Sequence, residues 1–271
     1  MAIAGFDSES NPEGKANGFN YRSADSEFSG SGGIAAGCPA DQRITGGGAA
    51  LDGDPSNAEL TLIGSDSISP EVSAKNGFGG RAEIIGSGQT LTIFAICTKT
   101  GGINLRSKAQ KDSPLPGDLV TAKAKCPRGT SVLGGGVRAE TTPELMLASA
   151  PFDSKDPGLK PDDGWTVRLE NGQGINDIFA IAICSKKLKP HYATNSTPTG
   201  SGELVRTAAC DQDEAVVGGG GAVTGDADAY LNATHPADIS DADTTPSDGW
   251  RSVAYVDAGA QALTSYAICV S

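Results

Sequence analysis

Two short motifs hold residues that could recognise a sugar. Asp162-Asp163-Gly164-Trp165 and Asp248-Gly249-Trp250 each place a carboxylate beside an indole ring. An exposed ring can stack on a sugar's apolar face while the carboxylate accepts its hydroxyl protons. Asp163, Trp165, Asp248 and Trp250 are therefore the candidate ligand-binding residues. The competing reading is that both tryptophans fill the core beside their glycines. Calcium takes about six to eight oxygens. The runs Asp226 to Asp228 and Asp238 to Asp243 offer several, without an EF-hand loop. Asp241 and Asp243 are the candidate calcium ligands, and no other cofactor is expected. Glycan hydrolysis needs two carboxylates across a cleft, and an abundance of acids does not supply that placement. A Ser-His-Asp nucleophile would have to use His191 or His235, and no Gly-x-Ser-x-Gly elbow accompanies either. No Cys-x-x-Cys pair is present and the two histidines stand apart, so a zinc site is not expected. The residues favour a binding or structural protein over an enzyme.

These motifs belong to a repeat. Cys38, Cys126 and Cys210 are each followed in one register by a glycine triplet: Gly46 to Gly48, Gly134 to Gly136 and Gly218 to Gly220. Each unit closes on the same ending, Phe94-Ala95-Ile96-Cys97, Ile181-Ala182-Ile183-Cys184 and Tyr266-Ala267-Ile268-Cys269. Gly77-Phe78, Gly164-Trp165 and Gly249-Trp250 stand at one fixed distance ahead of the closing cysteine. The repeats span residues 34–97, 119–184 and 204–269 of a single domain, 34–271. Residues 1–33 read as a flexible polar leader, of which Phe19 to Ser29 mirrors the later connections between repeats.

The repeats read as β-structure throughout. Val120, Ala122, Ala124 and Cys126 alternate with Lys123 and Lys125, a period of two. Trp165, Val167 and Leu169 alternate with Thr166, Arg168 and Glu170. A second strand, Leu60 to Ile63, Leu145 to Ala148 and Tyr230 to Ala233, is expected to stop at Pro151 and Pro236 in the last two repeats. The closing strand is apolar on both faces (Leu91 to Ile96, Ile178 to Ile183), as in a strand covered on both sides. Residues 98–117 and 185–203 read as crossing connections. The glycine triplets mark close packing at a bend; a phosphate cradle would need a following helix and lysine. Roughly four strands per repeat sharing one core is more stable than three small separate sheets.

The 271 residues carry a net charge of −12, which argues against a nucleic-acid partner. No stretch is apolar enough for a transmembrane helix, and Met1 to Asp7 lacks the features of a signal peptide. Two disulfide patterns keep the repeats equivalent. In one, each repeat closes on itself (Cys38 with Cys97, Cys126 with Cys184, Cys210 with Cys269). In the other, each is tied to the next. The near-constant span within repeats favours the first. Either implies an oxidising compartment and so a secreted, extracellular protein. Asn195-Ser196-Thr197 and Asn232-Ala233-Thr234 are glycan-acceptor triplets.

With three units of four strands and glycine-rich turns, the chain resembles the vitelline membrane outer layer protein family across most of residues 34–271. That resemblance implies a three-repeat β-prism: three four-stranded Greek-key sheets around a pseudo-threefold axis. The Cys-to-glycine-triplet pattern also resembles repeats of secreted bacterial proteins of unassigned function. A β-trefoil has units about half as long. By analogy the resemblance implies an extracellular coat or carbohydrate-related role, with a glycan or cell surface as the partner. The expected function is a secreted, disulfide-stabilised binding module for carbohydrate or a cell surface. The alternative is a structural or protective extracellular protein, with a glycan hydrolase third.

Overall fold

The chain runs through short apolar segments broken by glycine and proline, and it folds accordingly into strands. The structure, a computed structural model, describes residues 14–64, 76–111, 117–139, 145–154, 160–170, 177–225, 228–239 and 245–271. The first strands are β1 (Gly14–Ala16), β2 (Phe19–Gly37), β3 (Arg43–Asp52), β4 (Ala58–Gly64), β5 (Gly77–Thr98) and β6 (Ile103–Lys111). Then come β7 (Leu119–Lys125), β8 (Ser131–Ala139), β9 (Met146–Phe152), β10 (Gly164–Glu170), β11 (Asp177–Ser185) and β12 (His191–Ser196). The last are β13 (Gly200–Ala209), β14 (Ala215–Val223), β15 (Ala229–Ala237), β16 (Gly249–Gln261) and β17 (Leu263–Val270). The protein is all-β, with several antiparallel sheets, none closed.

The sheets join strands from different repeats. One sheet of eight strands runs β1-β2-β5-β3-β15-β16-β13, with β4 also paired to β5. A six-stranded sheet runs β12-β17-β14-β9-β10-β7, and a three-stranded sheet runs β6-β11-β8. The glycine strand of the first repeat pairs with the third repeat through Ala50↔Ala233 and Ala49↔Thr234. The glycine strand of the third repeat pairs with the second through Gly221↔Ser149 and Ala222↔Ala148. The expected four-stranded sheets, one per repeat, are not what is observed among the described residues.

Part of the difference lies in the connections. Residues 103–111 and 191–196 are strands, not crossing loops, and each pairs along a closing strand. The closing strands are apolar on both faces and sit centrally, between a glycine strand and a connection strand. The same rule corrects the flexible leader. Residues 19–37 form β2, which pairs with β5 along both halves of its length. Phe19 and Tyr21 lie buried, and the Tyr21 hydroxyl donates to the Val216 carbonyl at 2.7 Å. A bulge at Phe28/Gly30 bends this strand, with Gly30 at φ +81°, which a residue with a Cβ rarely adopts. The rest of the leader, residues 1–13, lies outside the described residues.

Alternation was legible where a strand has one wet face. Along β7, Val120, Ala122 and Ala124 are buried and the residues between them exposed. Along β10, Trp165, Val167 and Leu169 face the core. The two prolines do not stop their strands: β9 runs through Pro151 and β15 through Pro236. Toward the neighbouring repeat their ladders cover only Ala148–Ser149 and Ala233–Thr234, so each proline lies beyond that seam, while on the other edge it stands opposite Trp165 or Trp250.

The glycine triplets are points of close backbone approach. A Cβ on Gly46 would lie 2.6 Å from the Gly218 Cα, and one on Gly134 would lie 2.8 Å from the Gly46 Cα. One on Gly218 would lie 2.0 Å from the Leu133 carbonyl oxygen. The first glycines thus meet one another in a closed circuit. The middle glycines lie under the aromatic rings: a Cβ on Gly47, Gly135 or Gly219 would come within 2.3 Å of Phe78, Trp165 or Trp250. The third glycines face the backbone of a neighbouring repeat, at Thr234, Ile63 and Ser149. One continuous core holds Phe78, Trp165 and Trp250 together with Leu60, Met146 and Leu231.

Each repeat is closed on itself by a disulfide: Cys38–Cys97, Cys126–Cys184 and Cys210–Cys269, at sequence separations of 59, 58 and 59. In the chain-entropy account, a loop of this size contributes about 4 kcal/mol per bridge.

Substituting a triplet glycine should overpack the core. Gly134→Ala and Gly219→Ala are each expected to lose about 3 kcal/mol in chemical denaturation. Gly101→Ala, whose Cβ would meet only the Lys187 ammonium at 3.6 Å, should change stability by less than about 0.5 kcal/mol. Equal losses at all three positions would remove the special role of the triplets.

Candidate functional site

The Asp-Gly-Trp motifs form the base of a clamp rather than a sugar platform. Trp165 is 1% exposed and Trp250 0% exposed. Each indole N–H is spent inside: Trp165 Nε1 donates to Ser149 Oγ at 2.9 Å and Trp250 Nε1 to Thr234 Oγ1 at 2.7 Å. In the first repeat the aromatic is Phe78, which has no N–H, and the corresponding neighbour Ile63 has no hydroxyl. The expectation that Trp165 and Trp250 stack on a ligand is corrected by this burial, because no sugar ring can reach a fully covered indole.

The acids in these motifs hold loops. The Asp163 carboxylate accepts from the Ser154 amide at 2.6 Å and from the Ser154 hydroxyl. The Asp248 carboxylate accepts from the Ile239 amide at 3.0 Å. The carbonyls of both accept the amide of the repeat's first cysteine, Cys126 and Cys210, at 2.8 Å. Asn76 does the same for Cys38 at 2.6 Å, which makes it the third member of the set. The glycine that follows is required by space. A Cβ on Gly164 would lie 2.1 Å from the Ala124 carbonyl oxygen, and one on Gly249 2.3 Å from that of Ala208.

The remaining sequence candidates separate in the same way. Asp241 and Asp243 lie outside the described residues; of the neighbouring acids, Asp228 and Asp238 are described and exposed. His235 is 2% exposed, donates from Nδ1 to the Pro236 carbonyl at 2.8 Å, and stacks on Phe94 at 5.2 Å. Burial pushes its pKa down to about 4, so it is held neutral and out of a substrate's reach. Asn232 is 3% exposed and donates to the Ala58 carbonyl, which closes that glycan triplet to an enzyme. Asn195 sits on the exposed edge of β12.

Two groups that the sequence did not single out do bring chemistry together. The first is an acidic rim. Glu59 on β4 stands directly opposite Glu83 on β5. Directly opposed residues bring their Cβ atoms to about 5 Å. Burial first, then the charges of Glu83, Asp257 and Glu170, push the Glu59 pKa up to about 7. Burial and then Asp228 raise Glu170 in the same direction. No sequence pattern marks Glu59, because its neighbours come from strands far apart in the chain.

The second is a mixed cluster at the third repeat's disulfide. His191 Nδ1 lies 3.1 Å from Glu214 Oε2 and 3.5 Å from Asp211 Oδ2. One ligand atom from each residue falls within 4.8 Å of the other two. His191 therefore does not stand alone, as its place in the sequence suggested. Compared with protein-family models and with curated proteins, the chain finds no match in either.

The raised Glu59 makes a pH prediction. Its carboxyl is pushed from an ordinary 4.5 to about 7 in the folded chain, so the native state binds this proton more tightly. The stability it contributes is complete below about pH 4.5 and lost as pH rises through about 7. His235 runs the other way: its contribution is complete above 6.5 and lost as pH falls toward about 4. The difference between wild type and Glu59→Gln isolates the first effect. The variant should gain stability relative to wild type between about pH 5 and pH 8 in denaturant titrations. A pH-independent difference would place Glu59 in ordinary solvent.

Proposed function

We propose that this chain is an extracellular structural or protective protein: a disulfide-locked β-sheet body that works through its resistance to unfolding. We further propose that its repeats form a three-repeat β-prism of the kind found in the vitelline membrane outer layer protein family. The cyclic contact of Gly46, Gly134 and Gly218 supports that arrangement. The observation that carries the functional reading is the burial of Trp165 and Trp250 with their N–H groups bonded inside. It takes away the two indole faces that the sequence offered to a sugar. The three disulfides, with no free cysteine, support an oxidising extracellular setting. No described helix is long and apolar enough to cross a membrane.

Protease challenge and polysaccharide co-sedimentation test the proposal together. The oxidised chain should outlast the reduced chain by at least about tenfold in the presence of trypsin. It should co-sediment with insoluble polysaccharides no more than an inert protein does. Its tryptophan emission should stay blue-shifted and insensitive to added sugar. Saturable polysaccharide binding that is lost in Asp163→Ala or Asp248→Ala, with the melting temperature unchanged, would restore the binding-module reading. Release of reducing ends would establish the hydrolase.

A further inference from the structure

The corner that holds His191, Asp211 and Glu214 can be compared with two others in the same molecule. Each repeat turns after its first cysteine through the same hydrogen bond. Gln42 N donates to Pro39 O at 2.9 Å, Thr130 N to Pro127 O at 3.0 Å, and Glu214 N to Asp211 O at 3.1 Å. A connection strand lies beside each closing cysteine, and the residue opposite that cysteine is Asn20, Asn104 or His191. The corner therefore forms with Asn, Pro and Gln in the first repeat and with Asn, Pro and Thr in the second. Only the third carries His, Asp and Glu. The fold does not need these three side chains, since the same turn closes twice without them. In the third repeat the rigid proline is replaced by a carboxylate that is 78% exposed.

We propose that His191, Asp211 and Glu214 form a binding site for a divalent transition metal of borderline softness, with zinc as the reference ion. An imidazole with two carboxylates suits zinc; calcium and magnesium take oxygen donors. Zinc bonds to nitrogen and oxygen of about 2.0–2.2 Å set tetrahedral donors about 3.4 Å apart. The separations from His191 Nδ1, 3.1 and 3.5 Å, bracket that spacing, and all three donor atoms lie within 4.8 Å of one another. The site is organised before a metal arrives. Glu214 is 16% exposed, and its Oε2 also accepts the Asp211 amide at 3.2 Å. His191 is held opposite Cys269, and Cys269 is bonded to Cys210 beside Asp211. All three ligands thus flank one disulfide, so binding orders little chain. The exposure of Asp211 and His191 leaves the fourth position open to water. This proposal does not rest on the structural reading of the whole protein.

Calorimetric titration of the full oxidised chain with zinc chloride, in about 150 mM salt and excess calcium, tests the site. Calcium occupies general carboxylates on this acidic surface. The expected result is one saturable site with a Kd at or below about 10 µM. His191→Ala should weaken it by at least about thirtyfold. Zinc should raise the melting temperature of wild type but not of that variant. Asp211→Asn, at an exposed position, decides the matter if His191→Ala fails to fold: it too should weaken binding, by at least about tenfold. Absence of saturable binding below about 1 mM zinc would overturn the site. An unchanged Kd in the folded variants would do the same, because the metal would then lie elsewhere.

Discussion

Backbone meets backbone where Gly46, Gly134 and Gly218 come together, and the rest of the structure depends on that contact. A side chain at any of the three would occupy the space of a neighbouring strand's main chain. Close approach there brings the next glycine under an aromatic ring and the third against another repeat's carbonyl. The triplet is thus one device with three separate faces. The aromatic ring fills what the missing side chains leave, and its N–H, where it has one, requires a buried hydroxyl. Ser252 and Ser265 extend that polar thread in the third repeat, with Ser265 Oγ donating to the Trp250 carbonyl at 2.8 Å. Buried hydroxyls that are fully paired in this way narrow the packing to one arrangement.

Local and non-local constraints are divided cleanly in this molecule. The disulfides and most strand pairs act within repeats, while two short ladders and a few side-chain hydrogen bonds act between them. Tyr21 and Tyr192 show the second kind. They lie on connection strands and donate to the carbonyls of Val216 and Val132 at 2.7 and 2.8 Å. Burial pushes both hydroxyls' pKa values far up, which keeps them as donors at any pH the protein meets.

The sequence was most readable where one residue type has one physical use. Equal cysteine spacing gave the disulfide pairs, and alternation gave β7 and β10, because each presents one face to water. The connection strands were unreadable for the opposite reason. The residues of β12 are half-exposed or exposed throughout, so no period of two appears, and its strand geometry comes from β17 beside it. The Asp-Gly-Trp motifs were ambiguous because a sugar platform and a loop clamp use the same letters. Ser149 and Thr234, placed where Phe78's repeat has Ile63, were the available clue. The His191 cluster is hidden in the sequence because His191 reaches it from β12, while Asp211 and Glu214 lie in the turn after Cys210.

The pairing of β3 with β15 has a consequence for synthesis. Ribosomes deliver the first repeat long before Ala233 and Thr234, which cover its glycine edge. Cys38 can meet Cys97 early, yet the nascent unit then displays a bare, glycine-lined strand edge until the third repeat arrives. Such an edge invites pairing with another chain. Two growing chains could satisfy each other by exchanging third repeats, and the early disulfide would not prevent it, because it ties nothing across the seam.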